Sequence, residues 1–116
     1  MNKKIVFSLL SLFYVVILFL GGTVIKTSVI SSAPGFDKVL HFFGFFILTI
    51  LLLLTFKHYG LNNKYVSVFL IALGIGILIE AIQLGIPGRD FSLLDILADF
   101  LGIIIGLVLS WSFSKH

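Results

Sequence analysis

Four stretches of this 116-residue chain are each long and apolar enough to cross a lipid bilayer. They run from Ile5 to Val24, Val39 to Phe56, Tyr65 to Ile86 and Leu93 to Phe113. A spanning helix needs about 20 mainly apolar residues. Inside hydrocarbon only helices and closed barrels satisfy every backbone polar group. The segments between the runs are polar or turn-forming: Ser31-Ser32-Ala33-Pro34-Gly35, Asn62-Asn63 and Pro87-Gly88. The pattern predicts an all-α membrane protein, a compact bundle of four transmembrane helices forming a single domain over residues 1–116. Met1-Asn2-Lys3-Lys4 ahead of an apolar run also fits a signal peptide. The run is longer than a typical signal core, however, and no small-x-small site follows promptly, so a retained first span is expected.

Charge supports this reading and excludes others. Only 11% of residues are charged, against roughly 25% in soluble domains. The net charge of +3 does not indicate a nucleic-acid partner. The lysines stand at span ends rather than clustering on one solvated face. There are no cysteines, which removes disulfides, thiolate metal sites and cysteine nucleophiles. Lys3, Lys4, Lys57, Lys64 and Lys115 fall on one side of the four spans, and Lys26, Lys38 and Arg89 on the other. The richer side is expected to be cytoplasmic, which places both termini inside.

All the acids of the chain lie in or beside the last three spans: Asp37, Glu80, Asp90, Asp95 and Asp99. Lys38, His41, Gln83 and Arg89 accompany them. In an up-and-down bundle these residues converge at the outer end, a functional polar cluster. Helical spacing puts Asp37 with His41, Glu80 with Gln83, and Asp95 with Asp99 on shared faces. Each face is expected to continue inward through glycine: Gly44, Gly76, and Gly102 with Gly106, allowing close helix approach. The five acids against Lys38 and Arg89 leave the cluster at −3, with His41 neutral. Protons, hydrogen bonds or a bound cation are needed to relieve such a site.

Structural explanations stand beside functional ones. Asp95 suits a capping box after Ser92, and Asp37 suits the N-cap of the second span. Asp90 reads as a loop residue, and Glu80 or Asp99 could form a structural salt bridge with Arg89. Lys57, His58 and Trp111 read as interfacial anchors. Glu80 and Asp99 lie deepest, where ionisable groups mark functional sites by default. His41 among carboxylates admits a divalent cation such as Mg2+, Mn2+ or Zn2+, although the spacing matches no standard metal motif. The cofactor and the oligomeric state stay open.

Asp37-Lys38-Val39-Leu40-His41-Phe42 resembles the signature of VanZ-like membrane proteins. The resemblance continues through Glu80-Ala81-Ile82-Gln83, Pro87-Gly88-Arg89-Asp90-Phe91-Ser92 and Leu93 to Asp99, and ends at Gly102 and Gly106. Family members commonly carry Asn where this chain has Asp99, which shifts emphasis to Glu80, Asp37 and Arg89. The resemblance implies a small bacterial cytoplasmic-membrane protein linked to resistance against teicoplanin, a lipoglycopeptide.

Three functions follow as expectations. In the first, the outward site binds a lipid headgroup, a lipid-linked envelope component or the lipoglycopeptide, with Arg89 taking a phosphate or carboxylate. The second is an intramembrane hydrolase or transferase acting on a lipid-linked phosphate, with His41 or Glu80 as general base. Asp95-x-x-x-Asp99 faintly resembles the aspartates of CDP-alcohol phosphotransferases, but the rest of that motif is absent. The third, a proton-coupled transporter, needs more helices than one copy provides, and no inverted repeat is visible.

Overall fold

A computed structural model describes residues 2–23, 36–60, 62–85 and 93–114. These form four helices: α1 (Lys3–Thr23), α2 (Phe36–His58), α3 (Lys64–Gln83) and α4 (Leu93–Ser114). Each has 20 to 23 residues, or roughly 30–35 Å at 1.5 Å per residue, which matches the hydrocarbon thickness. All four are long and apolar enough to cross a membrane, and the chain is a multi-pass membrane protein. The helix bounds fall within three residues of the apolar runs. Gly60, at φ 72, reverses the chain after α2, its amide bonded to the Lys57 carbonyl at 3.1 Å.

The helices are apolar on all sides, so position in the bundle is decided by size and polarity rather than by a hydrophobic stripe. Lipid tails are as apolar as leucine, and close packing and interhelical hydrogen bonds are left to drive association. Large side chains such as Phe13, Leu70, Leu78 and Leu101 therefore face outward. The interior takes Phe45, Leu48, Val68, Ala72 and Ile103 together with small or polar residues.

The tightest seam is between α2 and α4, which run in the same direction. A Cβ on Gly102 would collide with the Phe42 carbonyl oxygen, and one on Gly106 would lie 3.0 Å from Thr49 Cγ2. Glycine at these two positions is what lets the backbones meet. By contrast α1 is peripheral, touching α2 and α3 but not α4 among the described residues. Among its described residues the one that is buried is Ser11. Because Thr55 Oγ1 donates to the Leu51 carbonyl, Ser11 donates to Thr55, at 3.0 Å. Tyr14 donates to the Gly44 carbonyl at 2.8 Å, and Tyr59 donates to Ser8 at 3.3 Å. This hydroxyl seam fixes the register of α1 on α2.

Two expectations are corrected. Gly44 does not continue the His41 face: a Cβ there would meet Leu18 of α1 at 3.3 Å, so Gly44 serves the α1 seam. One helical turn inward from His41 comes Phe45, followed by Leu48 and Thr49. Asp37 is not an N-cap, because α2 already begins at Phe36 and Asp37 lies in its first turn.

Candidate functional site

The parallel course of α2 and α4 brings their first turns side by side at one end of the bundle. Lys38 and His41, three apart, face Asp95 and Asp99, four apart, and a continuous chain of polar contacts results. Lys38 Nζ lies 2.7 Å from Asp95 Oδ1. His41 Nε2 lies 3.6 Å from Asp95 Oδ2, beyond hydrogen-bond length. His41 Nδ1 lies 2.7 Å from Asp99 Oδ1. With Asp99 ionised, Nδ1–H donates and the carboxylate orients the imidazole, leaving Nε2 turned toward Asp95. Both helices start here, and the N-terminal dipole of α4 favours Asp95 in its first turn.

The two ends of this chain differ in burial, and Asp95 between them keeps 10% of its side chain exposed. The Lys38 side chain keeps 33% of its surface exposed, His41 18% and Asp99 only 1%. Asp99 Oδ2 is buried and accepts no hydrogen bond from any described residue. It lies against Gly76 of α3, where a Cβ would stand 2.8 Å away. Gly76 thus opens the pocket that holds the carboxylate. A buried oxygen without a donor costs on the order of 1–3 kcal/mol, and intramembrane acids of this kind mark functional sites.

On α3, one turn beyond Gly76, Glu80 is fully buried, and Gln83 lies three residues further at 5% exposure. Asp95 and Asp99 are the two carboxyl groups that approach the His41 ring within 4 Å.

A family model described as VanZ/LLP1 matches residues 2–114. The chain belongs to the VanZ/LLP1 family. No curated protein and no solved structure matches it.

In this VanZ-like bundle Lys38 pairs with Asp95 and His41 with Asp99, the two pairs lying 3.6 Å apart at His41 and Asp95, and Glu80 and Gln83 are buried on α3 at the same end. The side chain of Asp37 lies outside the described residues, as do Arg89 and Asp90. A salt bridge from Arg89 to Glu80 or Asp99 is therefore not described, and the partner that Asp99 does have is His41. This returns the emphasis to Asp99. The asparagine common in the family would keep an oxygen able to accept from His41 Nδ1–H, so the bond itself needs no charge. Asp95 remains a first-turn acid, as capping predicts, but its carboxylate points across the helix seam to Lys38.

Among the described residues no three His, Asp or Glu groups come together to hold a metal ion. The divalent-cation reading gains no support from them. Sequence reasoning missed the pairing of Lys38 with Asp95 and the role of Gly76 as the seat of Asp99. The four-residue step from Gly76 to Glu80 was the available signal for the latter.

Proposed function

We propose that the polar end of this VanZ-like protein binds an envelope ligand: a lipid headgroup, a lipid-linked envelope component or a lipoglycopeptide. Through that binding it contributes to teicoplanin-type resistance or envelope homeostasis. The site faces outward from the bacterial cytoplasmic membrane, with both termini cytoplasmic. The observation that carries this reading is the contact chain Lys38–Asp95–His41–Asp99, which has a partly exposed lysine side chain at one end and a buried carboxylate at the other. A purely structural ion pair would not need a carboxylate buried as deeply as that of Asp99. Among the described residues acids outnumber bases at this end, which favours a ligand that offers an amine, with a phosphate or carboxylate for Lys38.

The test is teicoplanin susceptibility of cells expressing wild type or Glu80→Gln, with the membrane level of each protein measured. Protection by the wild type, lost in the variant at an unchanged level, supports the site. Equal protection by both removes Glu80 from it.

A second reading rests on the His41–Asp99 bond. A carboxylate that orients an imidazole is the arrangement of a general base, which suits an intramembrane hydrolase or transferase acting on a lipid-linked phosphate. Turnover of a labelled polyprenyl phosphate by purified protein, abolished in His41→Gln, is the outcome expected of an enzyme. Absence of turnover leaves binding as the reading.

A further inference from the structure

The first turns of α4 are two-sided. Asp95 and Asp99 face inward to the polar chain, while Leu93, Leu94 and Leu97 face outward and are more than half exposed. On that outer face α4 and α3 line a shallow, open apolar groove of about 400 Å³. It starts at Leu93 and Leu94, level with the Lys38–Asp95 pair. From there it runs toward the bilayer centre past Leu97, Ile77 and Leu73 to Phe100. At the inner end the Phe100 ring stands edge-on against Phe69, with centroids 5.8 Å apart.

The same pair of helices forms a second apolar groove, of about 320 Å³, at the opposite end, lined by Tyr65, Leu107, Val108 and Trp111. It lies beside no buried acid among the described residues. Two grooves on one seam thus differ in what stands at their mouths, and only the first adjoins a charged, partly open cluster.

We propose that the Leu93–Phe100 groove seats a hydrocarbon chain of the ligand whose head group meets the Lys38–Asp95–His41–Asp99 chain. The ligand class is then a chain-bearing amphiphile, and a free head group is not sufficient. This rests on the head-group reading above and extends it. Two features support it: the groove's mouth lies at the level of the charged pair, and the side chains that line it are all apolar. A chain lying there passes from the polar end along leucine, isoleucine and phenylalanine side chains. The head bends over the first turn of α4, offering its ammonium to the carboxylates and its phosphate to Lys38.

The protein is reconstituted in vesicles of phosphatidylethanolamine and phosphatidylglycerol containing a phosphatidylethanolamine with a mid-chain diazirine. After photolysis, adducts are mapped by peptide mass spectrometry. Adducts on residues 93–100 and 73–77 should exceed those at Val108, Trp111 and the lipid-facing Leu12 and Phe13 of α1 by several-fold. L97W, which fills the groove, should abolish that excess, and so should D95N. An even spread over all lipid-facing helix surfaces overturns the proposal, since it describes bulk lipid only. Excess in the groove that survives D95N overturns the link between chain and head group. Neither outcome depends on drug protection, so a failed susceptibility assay with a positive adduct map would refute the resistance role and leave the groove standing.

Discussion

At the end of the bundle where α1 and α3 begin, Lys4 stands 5.2 Å from the centroid of the Tyr59 ring and Phe7 packs edge-on against His58. Lys64 lies 5.4 Å from the Tyr65 ring, and Tyr65 donates to Ser114 at 3.4 Å. These groups are exposed or partly exposed, and their charges stay where headgroups and water can solvate them. At the other end Asp99, Glu80 and Asp95 are withdrawn from solvent, and Lys38 and His41 are drawn toward them. The first end is built as an anchor, with aromatic rings and lysines at the interface. The second bears the desolvation of several ionisable groups, which anchoring does not require. The difference teaches where to look for function: a charge held at an interface is inexpensive, and a charge held inside needs a reason.

Substitutions at the two ends break or sharpen this comparison, and the largest effect is expected at His41. His41→Ala leaves the Asp99 carboxylate buried without its partner, a loss of roughly 3–5 kcal/mol. Unfolding of the detergent-solubilised protein by SDS should show it. An effect below about 1 kcal/mol would place His41 with surface charges instead.

Gly76→Ala comes next. The added methyl must displace Asp99 Oδ2 or the Phe45 ring, whose atoms stand 2.8 and 3.4 Å from its position. Overpacking of this kind costs about 1–3 kcal/mol. Double-mutant analysis with Asp99→Ala should give strong coupling, because the smaller side chain makes room for the methyl. Additive effects would show that Gly76 does not shape the Asp99 pocket.

Asp99→Asn should be milder, within about 1 kcal/mol of wild type, because an amide oxygen can still accept from His41 Nδ1–H. Proton NMR of the imidazole Nδ1–H, still shifted downfield and slow to exchange in the variant, is the expected signature.

Smallest of all, Lys4→Gln at the anchoring end should change stability by at most about 1 kcal/mol, the scale of an exposed cation–π contact. A larger loss would mean that the anchor end, too, bears structural charge.

The fold was legible because run length alone fixes it: four apolar stretches of spanning length, separated by Pro-Gly and Asn-Asn breaks, leave few alternatives. The convergence of Lys38, His41, Glu80, Asp95 and Asp99 at one end was legible for the same reason, since alternating helix direction assigns each residue an end. Pairings were not legible. Spacing of three or four shows which residues share a face, but not how that face is rotated toward its neighbours. Gly44 illustrates this: it follows His41 by three residues, yet it is turned toward Leu18 and Tyr14 of α1. The hydroxyl seam of Ser8, Ser11, Thr55 and Tyr59 was hidden differently. Uncharged hydroxyls within apolar runs are common, and only their partners show that they set the register of α1.

The difference between the two ends is tested most directly by teicoplanin susceptibility at matched membrane levels, comparing Asp95→Asn with Lys4→Gln. Asp95→Asn should abolish the protection that the wild type gives, and Lys4→Gln should retain it. Equal protection by the two variants, or loss only in Lys4→Gln, would contradict a functional site at the buried polar end.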